Sequence, residues 1–446
     1  MNTPICDFVE KYAAGDSLRL HMPGHKGNGF LGIEKLDITE IGGADSLYEA
    51  DGIIAESERN AGLLFGCDTF YSTEGSSLAI RAMLYLAVLE AKKQGKRAHI
   101  AAGRNAHKTF LSAAALLDFE ITWLFPKENG NYLTCPLSAT EIEEALEDAE
   151  EKPTAVYLTS PDYLGNTADI KAISAVCKKH GVLLLVDNAH GAYLKFLPES
   201  RFPIDLGADM CCSSAHKTLP VITGGAYLHV SENASPLFAA QAKNALALFG
   251  STSPSYVILQ SLDYANKLLD SDYAAKLEAF AKKVVEFKNR LCQNGYIFVG
   301  DEVLKLTADT KKYGYTGTEF AAKLLENGIV CEFADNDFAV MMLTPEIGDK
   351  GLERLKEAML AVGKKDEIKQ KAPPLHKPEK VLSSRNATLC ECESVAVKDS
   401  LGRILATATV SCPPAVPVVV SGERIDEKVI EIFKYYSIKT CSVIKK

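Results

Sequence analysis

The sequence predicts an α/β protein: a large domain on a mostly parallel sheet, then a smaller α+β domain and a small C-terminal domain. Three observations carry this expectation. From about Phe65 to Val230, short apolar runs alternate with helical patterns, and such alternation implies a parallel sheet covered on both faces. After Leu262 the pattern changes, and Leu277, Phe280, Val284, Phe287 and Leu291 recur at the spacing of one long amphipathic helix. The stretch KKDEIKQKAPPLHKPEK, residues 364–380, is rich in charge and proline and reads as a linker.

Taken in order, the expected strands of the large domain are Ala98–Ala101, Ile121–Phe125, Ala155–Thr159, Val182–Val186 and Ala226–His229, with helices at Leu78–Lys93 and Ile170–His180 between them. Asn294-Gly295 ends the long helix, and Tyr296–Val299 reads as a strand of the next domain. The resulting division is an N-terminal segment over 1–60, a large domain over 61–262, a small α+β domain over 263–363, the linker over 364–380 and a C-terminal domain over 381–446.

Composition removes several functions. A chain of 446 residues is too long for one compact core. Its net charge of -9 argues against nucleic acid as a partner and tolerates a cationic small molecule. No apolar run approaches the roughly 20 residues that a membrane helix needs, and MNTPICDFVEKYAAGD lacks the apolar stretch of a signal peptide. A cytoplasmic protein is expected, with its 12 scattered cysteines as reduced thiols.

Four segments carry chemistry. TEGSS, Thr73–Ser77, opens the helix from Leu78; small and hydroxyl residues at a helix start form either a phosphate cradle or a simple cap. GRNAHKT, Gly103–Thr109, places His107 on the loop leaving a strand, where open α/β sheets bind ligands, although a histidine there also suits a helix cap. VLLLVDNAHGAY, Val182–Tyr193, ends an apolar strand in Asp187 with His190 following; a purely structural acid capping the next turn is the alternative. SSAHKTLP, Ser213–Pro220, sets Lys217 beside His216, about one strand–helix unit beyond Asp187. A phosphate cradle, an aromatic ring, a buried acid and a lysine are together what pyridoxal phosphate requires. The lysine forms a Schiff base with the aldehyde, and the acid keeps the pyridine nitrogen protonated so that the ring accepts electrons.

These motifs resemble the bacterial ornithine/lysine/arginine decarboxylases of the aspartate-aminotransferase fold, the type I fold of pyridoxal phosphate enzymes. SSAHKTLP is similar to the family's cofactor-lysine motif, and HMPGHKG at His21–Gly27 to its PGHxG signature. GRNAHKT, TSPDYLGN, VDNAHGA, GGAYLH, STSPSY and the late CPPAVPVVVSGE match in the family's order. The resemblance implies decarboxylation of arginine, lysine or ornithine by a homodimer, or an assembly of dimers, with shared active sites. It implies Lys217 as the Schiff-base lysine, Asp187 on the pyridine nitrogen, His107 stacked above the ring and Ala189 beneath it. Gly75, Ser76, Ser77 and Ser214 would hold the phosphate, with Thr252 reaching the partner subunit's phosphate. His216 would contact phosphate or substrate and help protonate the product carbon, while His190 would lie near the Schiff base or the cofactor's phenolic oxygen. Glu423 matches the position expected to meet the substrate's distal cation.

The chain departs from the family in three places and is expected to be the short form without a receiver-like N-terminal domain. Ser46 in IGGADSL replaces an acid, Glu74 stands for a neutral residue in the phosphate loop, and Asn188 follows Asp187. These changes bear on the substrate rather than on the cofactor. Two rivals remain. An aminotransferase of the same fold needs an arginine for the α-carboxylate, and Arg385, Arg403 and Arg424 are candidates. A non-catalytic relative would keep the fold for binding alone. His21 and His25 flank Pro23-Gly24, which favours a backbone turn over a metal site, and no metal is expected. Trp123 is expected in or near the core.

Overall fold

The computed structural model describes residues 1–128, 130–407 and 415–445. Residues Cys412, Pro413 and Pro414 of CPPAVPVVVSGE lie outside the described residues. In chain order the strands are β1 (Asp68–Ser72), β2 (His99–Gly103), β3 (Glu120–Leu124), β4 (Ala155–Thr159), β5 (Leu183–Asp187), β6 (Met210–Ser213), β7 (Ala226–Val230), β8 (Phe298–Val299), β9 (Lys305–Asp309), β10 (Phe333–Ala334), β11 (Phe338–Met342), β12 (Cys392–Ala396), β13 (Leu405–Thr407) and β14 (Thr440–Ile444). The helices are α1 (Pro4–Ala14), α2 (Ile53–Phe65), α3 (Gly75–Lys93), α4 (Lys108–Leu117), α5 (Ala139–Glu147), α6 (Ile170–His180), α7 (Ala215–Thr218), α8 (Pro236–Ala247), α9 (Tyr256–Leu269), α10 (Tyr273–Gln293), α11 (Gly317–Glu326), α12 (Gly348–Ala361), α13 (Ser384–Thr388) and α14 (Glu427–Tyr435).

The chain forms two compact units, Met1–Lys96 with Leu183–Glu278, and Arg97–Val182 with Ala279–Lys446. In the first unit the strands lie in the order β1-β7-β6-β5. β5 and β6 are parallel, with Asp187 opposite Cys212. β7 runs antiparallel to both β6 and β1. The antiparallel turn has a local cause. The connection from Ser213 to Ala226 holds only the four-residue α7, too little for a crossover helix, so the chain returns beside the strand it left. α3 is buried on most of its length, from Leu78 to Ala91, which explains why it reads as apolar nearly all round. A polar cluster is buried with this apolar core. Ser57 on α2 donates to Asp263 Oδ1 on α9 at 2.5 Å, and Asp263 Oδ2 accepts the N–H groups of Ile5 and Cys6 at 3.0 Å each. An acid on α9 thus satisfies amides of the first turn of α1, which no side chain of its own caps.

In the second unit β4, β2 and β3 form a parallel set, with Ile100 opposite both Ala155 and Ile121. Here α6 starts on Asp169, whose side chain accepts the Ala172 N–H, and stops at Gly181 in the left-handed region. A four-stranded antiparallel sheet, β10-β11-β9-β8, follows. The last sheet, β12-β14-β13, closes over α14 around Leu405, Ile425, Val429, Phe433 and Val443. Val429, Ile432 and Phe433 sit three and four apart, so one stripe of α14 is buried.

One glycine of this unit shows how little room some turns leave. A Cβ on Gly317, the first residue of α11, would stand 1.9 Å from the Phe338 carbonyl oxygen. Backbone cannot step aside as a side chain can, so Gly317→Ala is expected to cost at least about 1–3 kcal/mol as overpacking. Gly363→Ala, where nothing lies within 4 Å, should change little. Thermal midpoints of the two variants provide the comparison.

No described helix is long and apolar enough to cross a membrane. The eleven described cysteines are free thiols.

Candidate active site

The first unit gathers most of the residues singled out in the sequence. β5, LLLVD, is an apolar run that delivers Asp187 to its carboxyl end, and Asp187 is only 2% exposed. Its Oδ1 accepts the Ala189 N–H at 3.2 Å and the Cys212 thiol at 3.5 Å. The next residue is tied to the same strand: Asn188 N–H donates to the Cys212 carbonyl at 3.0 Å and its side-chain amide to Ser213 Oγ at 3.0 Å. Ala189 and His190 are buried just beyond.

β6 leads through Ser213 and Ser214 into α7, which carries His216 and Lys217. Lys217 Nζ lies 3.1 Å from His190 Nε2. The His216 ring is turned by its Nδ1 contact with the Gly225 carbonyl at 3.0 Å. A carbonyl only accepts, so Nδ1 carries a proton in this arrangement. The backbone N–H of His216 donates to the same carbonyl at 3.1 Å. α7 is therefore anchored at His216 by two contacts to one carbonyl rather than by helix length.

TEGSS becomes the turn from β1 into α3. Gly75 sits at φ +68°, and its N–H donates to the Gly224 carbonyl at 2.7 Å. A β-carbon there would stand 3.9 Å from His216 Cε1. Ser214 Oγ–H donates to Ser76 Oγ at 2.8 Å, so α7 and the start of α3 share a hydroxyl pair. No side chain caps α3 at Glu74. Ser77 belongs to its first turn. Glu74 points elsewhere: its Oε1 accepts the Ser251 N–H at 2.6 Å, beside exposed Thr252. The structure thus brings together Gly75, Ser76, Ser77, Asp187, Ala189, His190, Ser214, His216 and Lys217 in one unit.

His107 and Glu423 belong to the second unit. His107 is the N-cap of α4, its Nδ1 accepting the Thr109 N–H at 3.2 Å. The helix-cap role weighed from sequence is realised here. Glu423 is 3% exposed and has a partner of its own: Arg104 Nη2 lies 3.1 Å from Oε2, and the Val420 N–H donates to the same oxygen at 2.8 Å. Burial pushes the Glu423 carboxyl up, while the Arg104 guanidinium pulls it back. Arg104 also donates to the Pro417 and Val418 carbonyls and lies over the half-buried Trp123 ring.

The three arginines that are candidates for an aminotransferase's carboxylate clamp all have partners within this unit. Arg385 donates to the Ala115 and Leu116 carbonyls, Arg403 to Glu393 and the Ile444 carbonyl, and Arg424 to Glu379 and the Gly402 carbonyl. His21 and His25 do not converge on a metal site. His21 meets the Tyr12 hydroxyl, and His25 pairs with Asp37 at 3.1 Å. Among the described residues the grouping with metal-like spacing is Glu143, Glu147 and His180 on α5 and α6, where Lys179 already pairs with Glu143.

Sequence reading missed two contacts, Cys212 on Asp187 and Arg104 on Glu423. The first was signalled only by the Cys211-Cys212 pair that precedes SSAHK.

The sequence matches the family described as the major domain of Orn/Lys/Arg decarboxylases over residues 3–303. The chain belongs to the Orn/Lys/Arg decarboxylase family. The C-terminal domain of the same Orn/Lys/Arg decarboxylases matches residues 367–442. Arginine decarboxylase of Bacillus subtilis (strain 168) is 30% identical over 468 residues, covering 97% of this chain and 93% of that one. Arginine decarboxylase of Halalkalibacterium halodurans is also 30% identical, over 95% of this chain and 91% of its own. Lysine decarboxylase A from Pseudomonas aeruginosa has the same fold, with a TM-score of 0.79 at 18% identity over 99% of this chain and 80% of that one. This Orn/Lys/Arg decarboxylase accordingly has the type I fold, and its class of reaction is decarboxylation of a basic amino acid.

Proposed function

We propose that the protein decarboxylates L-arginine to agmatine and CO2 with pyridoxal phosphate, using Lys217 as the covalent anchor of the cofactor. The observation that carries this is the meeting of Lys217 Nζ and His190 Nε2 at 3.1 Å, in a unit that also buries Asp187. The choice of arginine is supported by the Bacillus and Halalkalibacterium arginine decarboxylases, which are similar along nearly the whole chain.

The residues of the first unit suit the cofactor. A negative charge on a buried carboxylate held by two donors favours a protonated ring nitrogen. The start of α3, which no side chain caps at Glu74, presents a positive dipole end to a phosphate, beside the Ser76–Ser214 hydroxyl pair. When bound, pyridoxal phosphate supplies an aldehyde for the lysine and a ring that accepts the electrons released as CO2 leaves.

The chain's own groups divide the remaining work. Lys217 Nζ would deliver a proton to the substrate's α-carbon in exchange for the departing CO2, with His190 Nε2 beside it at 3.1 Å as the neighbouring proton site. His216, its Nδ1 turned to the Gly225 carbonyl, keeps Nε2 as a second exchangeable site. Ala189 would pack against the cofactor ring, and Gly75, Ser76, Ser77 and Ser214 would hold its phosphate. His107 over the ring, Glu423 toward the substrate's distal cation and Thr252 in a homodimer rest on the likeness of their motifs. So does the division into domains at 61–262, 263–363 and 381–446.

The test is a product assay on the purified protein with pyridoxal phosphate and L-arginine, L-lysine or L-ornithine in turn. Agmatine and CO2 are expected, with kcat/KM for L-arginine at least about tenfold above the other two, a difference of about 1.4 kcal/mol in transition-state binding. Equal or faster CO2 release from L-lysine or L-ornithine overturns the substrate. Amino transfer to pyruvate without CO2 overturns the reaction.

A further inference from the structure

We propose that Cys212 is a positioning residue for Asp187, its thiol fixing the carboxylate that serves the cofactor's ring nitrogen. This rests on the reading of Asp187 given above. The argument begins with register. β5 and β6 pair in parallel with Asp187 opposite Cys212, and Sγ comes within 3.5 Å of Asp187 Oδ1. The carboxylate oxygen has no proton to give, so the thiol is the donor. The strand below the thiol cannot drift, because the Cys212 carbonyl accepts the Asn188 N–H at 3.0 Å. Cys212 is thus tied to β5 and its exit twice, through the Asn188 backbone and through the Asp187 side chain.

A thiol is a useful donor at this point. Cys212 is fully buried, and burial together with the Asp187 charge pushes its ionisation well above the ordinary thiol value. It therefore stays S–H throughout the working pH range. An S–H is also a weaker donor than a hydroxyl, so it orients the carboxylate while withdrawing little of its charge. A charge kept on Asp187 is what a protonated ring nitrogen needs.

The experiment compares Cys212→Ala, Cys212→Ser, Asp187→Asn and the double variant Cys212→Ala/Asp187→Asn. Pyridoxal phosphate affinity is measured by equilibrium dialysis, alongside kcat and the pH titration of the bound cofactor's visible absorbance. Cys212→Ala is expected to weaken cofactor affinity several-fold, lower kcat about tenfold and move the titration midpoint to lower pH. Cys212→Ser is expected to recover most of the affinity, since a hydroxyl can also donate. In the Asp187→Asn background the effect of Cys212→Ala should vanish, because the carboxylate charge that the thiol orients toward the ring nitrogen is gone even though an amide oxygen can still accept the S–H. Wild-type behaviour of Cys212→Ala, no recovery with serine, or an undiminished alanine effect in the Asp187→Asn background each overturns the proposal. Should Asp187→Asn itself leave affinity and titration unchanged, the reading of Asp187 fails first, and the proposal falls with it.

Discussion

Lys217→Ala is expected to reduce CO2 release from L-arginine by roughly a thousandfold or more, the scale seen when a nucleophile is removed from an active site. The fold should survive. α7 is held by backbone contacts, the Lys217 N–H to the Ser214 carbonyl at 3.1 Å and the His216 N–H to the Gly225 carbonyl at 3.1 Å, and alanine keeps both. Lys217→Arg should be equally inactive, because a guanidinium retains its proton and cannot attack an aldehyde. The readouts are CO2 release, the visible absorbance of the protein with cofactor, and the thermal midpoint. A Lys217→Ala protein that still turns over near the wild-type rate would remove the lysine from the mechanism.

Breaking the Arg104–Glu423 pair should have the largest effect on stability. The two side chains are 1% and 4% exposed, so removing one leaves the other as a buried charge without its partner, at a cost of about 3–5 kcal/mol. Glu423→Leu strands the guanidinium in this way. Arg104→Leu strands the carboxylate and also loses the bonds to the Pro417 and Val418 carbonyls. The double variant, with no charge left to bury, should be less destabilised than the sum of the two singles. Denaturant or thermal unfolding measures all three. The milder Glu423→Gln separates two jobs for this carboxylate. A contact to substrate predicts a raised KM for L-arginine with stability intact, whereas the Arg104 pair predicts lost stability with a smaller change in KM. The Arg104 contact at 3.1 Å favours the second outcome and weighs against the substrate role that the motif alone suggests for Glu423.

What could be read in advance follows the range of the interactions. β4 and α6 fall on the stretches their patterns mark, and α10 follows the spacing of Leu277, Phe280, Val284, Phe287 and Leu291. The apolar run before Asp187 announces β5. β1 and β6 escaped, because DTFYS mixes an acid and hydroxyls with its aromatics, and MCCS is four residues of small or sulfur side chains with no branched run. The antiparallel entry of β7 was also hidden, since alternating strands and helices suggest crossovers throughout and α7 is too short to make one. The same division holds at the site. Asp187 and Lys217 stand out by motif, but Cys212 meets Asp187 only through strand register, and Arg104 meets Glu423 across 319 positions, beyond the reach of any local pattern.

That separation has a consequence for synthesis. When Arg104 leaves the ribosome, the carboxylate that will neutralise it is hundreds of residues from being made. Until then the loop after β2 must keep its guanidinium in water, and the final settling of that loop waits for the last stretch of chain. Contacts so distant in sequence slow folding and prolong the exposure of unfinished surface. The burial of one arginine therefore makes completion of the chain a condition for completion of the core.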